Sequence, residues 1–173
     1  MSNNCIQTYT GKRFTPDDPR PEDLDIRDFA HSLSLLCRYN GHCQVFYSVA
    51  DHSVRVSRQC PPEAALWGLL HDLGEAYLGD MPRPIKAFFP DYAAFEDRLL
   101  QVAAGVFGLT WPMPPEVRQA DDLLLVTEMR DLMVPMPDVS EFGLEPLPEK
   151  VVPLSPAEAE QAYLKRYEEL RST

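Results

Sequence analysis

Residues 61–79 read PPEAALWGLLHDLGEAYLG, and this stretch decides the fold class. Its apolar positions follow a helical period, not the alternation of a strand. Pro61 and Pro62 fit the first turn of a helix, where the missing amide has no partner to lose. Gly79 suits the residue just past the end, because it tolerates a left-handed backbone. The pattern predicts one helix from Pro61 to Leu78.

The same period continues on either side. Ile26, Phe29, Ala30, Leu33, Leu36 and Cys37 recur at i, i+3, i+4 spacing, and Phe46 to Arg58 forms a second candidate. Asp91 to Phe107 is a fourth, ended by Gly108, and Pro115 to Met133 a fifth. Ser155-Pro156-Ala157-Glu158 has the spacing of a capping box and opens a last helix running to Arg171. No stretch alternates as a strand. The expected fold class is all-α: a single compact helical bundle of about six helices with proline-rich loops.

Seventeen prolines punctuate the chain. One cluster (Pro16, Pro19, Pro21) lies in an acidic lead-in, and residues 1–25 read as an N-terminal arm. Residues 26–173 read as one domain, with a proline-rich loop near 134–154 and a C-terminal helix over 155–171. A chain of 173 residues with 45% hydrophobic content can build one sizeable core.

Sixteen basic and 27 acidic side chains leave a formal charge of −11. That balance argues against a nucleic acid polymer or an anionic membrane as partner, since phosphate contacts need a cationic surplus. The apolar runs are far shorter than the roughly 20 residues of a membrane span. Met1 to Thr10 lacks the apolar core of a signal peptide, and four cysteines are too few for a disulfide scaffold. The expectation is a reduced, cytoplasmic protein. Leu33, Leu36, Val54, Trp67 and Leu99 look like more apolar surface than the chain buries alone, which suggests a homo-oligomer, from dimer to hexamer.

The chemistry centres on His71-Asp72, an adjacent pair in an apolar helix that is costly to bury without a partner. His52 lies on the second helix and Asp121 on the fifth. Packing these helices together would gather His52, His71, Asp72 and Asp121, a nitrogen and oxygen set suited to a borderline divalent ion. Asp122 competes with Asp121 for the fourth place.

The order His … His-Asp … Asp on separate helices resembles the HD-domain metal-dependent phosphohydrolases. His71-Asp72-Leu73-Gly74-Glu75 followed by Gly79-Asp80-Met81-Pro82-Arg83-Pro84-Ile85-Lys86 is similar to the bacterial 5′-deoxynucleotidase branch, with its H-D-x-x-E and G-D-x-P-x-P-x-K. Asp51-His52-Ser53 resembles that branch's E-H-S, and Arg38-Tyr39 its Arg-Trp pair. The string from Cys37 to Ser53 also resembles compact phage dATP triphosphohydrolases. The likeness spans roughly Asp28 to Met133, and it favours Asp121 over Asp122.

The resemblance implies one divalent ion (Co, Mn, Zn, Mg or Ni) and hydrolysis of the 5′-phosphate or 5′-triphosphate of a deoxynucleotide, dATP or dAMP among the possibilities. The alternatives are an alarmone or cyclic-nucleotide hydrolase on the same core, or a nucleotide-binding regulator. Glu75 follows His71 by one turn and can act as base or orienter of a water. Asp80 can protonate a leaving oxygen or place the nucleophile. Arg38 offers a fork matched to phosphate, or else closes its helix against the dipole. Lys86 offers a point charge, and Tyr39 or Phe46 a surface for a base. Glu128 and Asp131 read as surface or outer groups, and Lys165, Arg166, Glu168 and Glu169 as a solvated face.

Overall fold

The computed structural model describes residues 4–135 and 143–172. The helices are α1 (Ile26–Leu35), α2 (Val49–Gln59), α3 (Ala65–Leu70), α4 (Glu75–Leu78), α5 (Arg83–Lys86), α6 (Pro90–Phe107), α7 (Pro115–Leu132) and α8 (Pro156–Arg171). Short 3₁₀ turns cover Pro21–Asp23, Arg38–Gly41 and Pro62–Ala64. The fold is all-α. Among the described residues, the only strands that pair as a sheet are two-residue β1 (Ile6–Gln7) and β2 (Arg13–Phe14), antiparallel with Ile6 opposite Phe14. No helix among them is long and apolar enough to cross a membrane.

Local chemistry explains the boundaries. Asp25 caps α1 by accepting the Arg27 amide, Ser48 caps α2 by accepting that of Asp51, and Ser155 with Glu158 forms the expected capping box of α8. Gly108 ends α6 at φ +67°, where a side chain would be strained.

The long helix expected from Pro61 to Leu78 is broken. After α3 the chain tightens through His71–Gly74, with i→i+3 bonds from Leu73 N to Leu70 O (3.1 Å) and Glu75 N to Asp72 O (3.0 Å). The reason is the histidine itself. His71 Nδ1 takes the Gly68 carbonyl at 2.8 Å, the acceptor an unbroken helix would offer to residue 72.

α2 is central and packs against α1, α3, α7 and α8. Its approach to α3 is close enough to require Gly68: a Cβ there would meet Ser57 Cα at 2.9 Å and Cys60 Sγ at 2.7 Å. Arg166 of α8, expected on a solvated face, instead donates to Ser57 Oγ at 3.0 Å and ties α8 to α2.

The segment read as an arm is seated on the body. Phe14 is buried and stacks on Tyr77, and Thr10 donates to the buried Asp28. Of the five residues read as surplus apolar surface, Leu33, Val54, Trp67 and Leu99 are buried within one chain, and Leu36 is half-buried against the same core. Of the proline-rich loop, residues 136–142 lie outside the described residues. Its later part is pinned: Leu147 N donates to Thr127 Oγ1, Val151 N to Asp131 and Leu154 N to Asp51. Val151 then packs with Tyr47 and Leu132 in a small second core.

Candidate metal centre

His52 enters from the first turn of α2 and is fully buried. Its Nδ1 lies 2.6 Å from Glu128 Oε1 on α7. A carboxylate accepts, so Nδ1 carries hydrogen and donates, and Nε2 faces the opposite way. His71 is fixed in the same sense, because Nδ1 donates to the Gly68 carbonyl. Both Nε2 atoms are buried without a hydrogen-bond partner. They converge: Asp72 Oδ2 lies 3.1 Å from His71 Nε2 and 3.7 Å from His52 Nε2, and Asp121 Oδ1 lies 3.2 Å from His52 Nε2.

Ligand atoms of His52, His71 and Asp72 lie within 4.8 Å of one another, and the group can hold a metal ion. Two orphaned imidazole nitrogens turned toward carboxylate oxygens, each ring fixed by its other nitrogen, fit a divalent cation. The electrostatics agree. Burial and the Arg38 charge disfavour a charged His52 ring, yet Glu128 and Asp121 outweigh them and push its pKa up to about 9. The carboxylates thus favour positive charge at Nε2, whether a proton or a metal ion supplies it. Burial opposes ionisation of Asp72 and Asp121, but the neighbouring histidines win and hold both well below the usual carboxylate range.

Glu128, read from sequence as a surface or outer group, is the outer partner of His52 and the hub of the centre. It is fully buried and receives Tyr39 Oη at 2.6 Å, Tyr47 Oη at 2.8 Å and His52 Nδ1 at 2.6 Å. Arg38 Nε lies 3.3 Å away. Burial alone would raise the Glu128 pKa, but His52 and Arg38 outweigh it and hold it at about 2. The only sequence-level sign was the seven-residue interval from Asp121, two turns along one face of α7.

Arg38 lies beyond the end of α1, which stops at Leu35, so it is not that helix's closing charge. It is buried, with Nη1 3.4 Å from Asp72 Oδ2. A sharp turn aims it there: Tyr39, Asn40 and Gly41 all have left-handed backbone, at φ +55°, +50° and +77°. Asn and Gly tolerate this, whereas Tyr39 is strained by on the order of 1–3 kcal/mol. Its bond to Glu128 helps to hold it.

A cleft of about 390 Å³ opens beside the histidines. Arg38, Tyr39, Asp72, Glu75, Asp80, Lys86 and Asp121 line it, with Leu125, Met129 and Met133 as an apolar wall. Thus the structure brings His52, His71, Asp72 and Asp121 together and sets Glu75 and Asp80 beside them. Glu75 Oε2 is buried without a partner, and burial, reinforced by Asp72 and Asp80, raises the Glu75 pKa well above normal. Burial also raises that of Asp80. Lys86 faces the cleft but donates to both carboxylate oxygens of Glu96, at 2.8 and 2.9 Å. Phe46 does not line it. Arg83, not foreseen, binds Asp121 and Asp122 together.

Fold and site define an all-α protein with a buried histidine–aspartate centre able to hold a metal ion. No family model matches the chain. Over 171 residues it is 39% identical to the uncharacterized protein YfdR of Escherichia coli (strain K12), covering 95% of this chain and 94% of that one. It belongs to the family of YfdR. The uncharacterized protein RCAP_rcc00048 of Rhodobacter capsulatus is 37% identical over 121 residues, covering 64% of this chain and 62% of that one.

Proposed function

We propose that this protein is an HD-domain-type, metal-dependent phosphohydrolase acting on the 5′-phosphate or 5′-triphosphate of a deoxynucleotide. The observation that carries the reading is the pair of unpartnered, buried Nε2 atoms of His52 and His71, converging with Asp72 and Asp121 at the edge of a cleft. Those four residues would hold one divalent ion. When bound, such an ion polarises a phosphoryl oxygen and makes a water nucleophilic near neutral pH.

The chain's own residues supply the rest. Glu75 keeps an unpartnered carboxyl oxygen buried beside the centre, where it can orient the attacking water or, ionised by a cation bound next to it, take that water's proton. Asp80, on the same cleft, can return a proton to the leaving oxygen. Arg38, between Glu128 and Asp72, places a guanidinium within reach of a phosphate seated in the cleft. Leu125, Met129 and Met133 offer an apolar face to a sugar or base. Lys86 is committed to Glu96 and acts as an anchor of α5 in this reading.

The test is a hydrolysis screen of deoxynucleoside mono- and triphosphates and guanosine tetraphosphate, with several divalent ions. We expect phosphate or polyphosphate release that needs an added ion and is lost in His71→Ala. Glu75→Ala should keep metal content and lose about 10²–10⁴-fold in turnover. A metal-loaded protein that hydrolyses none of these would overturn the reading.

A further inference from the structure

α7 presents two adjacent carboxylates, Asp121 and Asp122, of which the centre needs one. Adjacent side chains of a helix diverge by about 100°, so these two carboxylates point in different directions. Arg83 sits between them. Its Nη2 binds Asp121 Oδ2, and its Nη1 donates to Asp122 Oδ1 at 2.6 Å. The other oxygen of Asp121, Oδ1, is the one that faces His52 Nε2 at 3.2 Å. Asp121 lines the cleft and Asp122 does not.

The fork has a firm base. Arg83 opens α5, a four-residue helix between Pro82 and Ala87. At its far end Lys86 is bound to both oxygens of Glu96 on α6. So α5 is a strut tied at one end to α6 and at the other to the Asp121–Asp122 pair. A planar guanidinium can grip two carboxylates at fixed spacing, and an ammonium cannot.

We propose that Arg83 is a positioning residue of the metal centre: its fork turns Asp121 Oδ1 toward the histidines and holds Asp122 aside. The inference rests on the metal-centre reading above, but not on any particular substrate. A second carboxylate in the cleft would crowd the ion's open positions. An Asp121 free to rotate would offer its ligand oxygen only part of the time.

The experiment is titration of the metal-free protein with Co²⁺, following its visible spectrum and competing with a chromophoric chelator. Partners that orient a metal ligand typically contribute about 10–100-fold in affinity. Arg83→Met should weaken Co²⁺ binding by that factor and change the spectrum, while the thermal midpoint of the metal-free protein stays put, since the Arg83 side chain is half exposed. Arg83→Lys should weaken it nearly as much, because charge survives and the fork does not. If Arg83→Met binds Co²⁺ within about twofold of wild type, or Arg83→Lys restores full affinity, the positioning role is wrong while the metal centre stands. If wild type itself takes up no Co²⁺, both fall.

Discussion

Glu128 has one negative charge and three hydrogen-bond donors, with Arg38 as a further cation beside it. Removing one partner of a buried ion pair leaves the other charge uncompensated and typically costs about 3–5 kcal/mol. Glu128→Ala strands Arg38 and removes the acceptor that fixes the His52 tautomer, so its urea unfolding free energy should fall by about that amount. Glu128→Gln keeps an acceptor and should lose less. A loss below about 1 kcal/mol in Glu128→Ala would show that the hub is not structural. The residue was not legible in sequence as a centre, because its four partners come from positions 38, 39, 47 and 52 and meet only in the fold. His71 and Asp72 were legible, since an adjacent ionisable pair in an apolar stretch needs an explanation wherever it is placed.

At the scale of elements, the helices with clean periods and caps were readable: α6 and α8 start and end within a residue or so of expectation. The break at His71–Gly74 was not, because an imidazole competing for the Gly68 carbonyl leaves no mark on hydrophobic period. Nor was α5, whose short turn is held by Arg83 and Lys86 reaching α7 and α6. Caps make a prediction of their own. Asp25 accepts the Arg27 amide at 3.0 Å and its guanidinium at 3.0 and 2.8 Å. The Arg27 side-chain bond, against a smaller effect of burial, lowers the Asp25 pKa to about 2. A folded pKa below the unfolded value of about 3.9 means stability fully present above about pH 4. That contribution is lost as pH falls through about 2. Asp25→Ala should cost about 0.5–2 kcal/mol at pH 7. The gap between it and wild type, read from urea midpoints, should narrow from pH 5 toward pH 2. A gap independent of pH would mean that the carboxylate charge plays no part in the cap.

For the whole molecule, the centre is where separate elements meet: His52 from α2, His71 and Asp72 from the turn after α3, and Asp121 from α7. An ion bound to all four would tie these elements together in the folded state, and the unfolded chain, with its ligands scattered over 70 positions from 52 to 121, binds it far less well. A net charge of −11 also favours any bound cation, because like charges repel more strongly when the chain is compact. Mass action sets the size of the effect. At a free ion concentration 100 times the dissociation constant, stabilisation is about 2.7 kcal/mol. For a chain of this length each kcal/mol moves the thermal midpoint by roughly 2–4 °C. Loading the metal-free protein should therefore raise the midpoint by about 5–10 °C, rising further with the logarithm of ion concentration, and a chelator should reverse it. His52→Ala removes a ligand nitrogen from the centre, so its midpoint should be lower at the outset and nearly insensitive to the ion. A shift of equal size in wild type and His52→Ala would place the responsible ion elsewhere on this acidic surface, and no shift in either would remove the metal centre altogether.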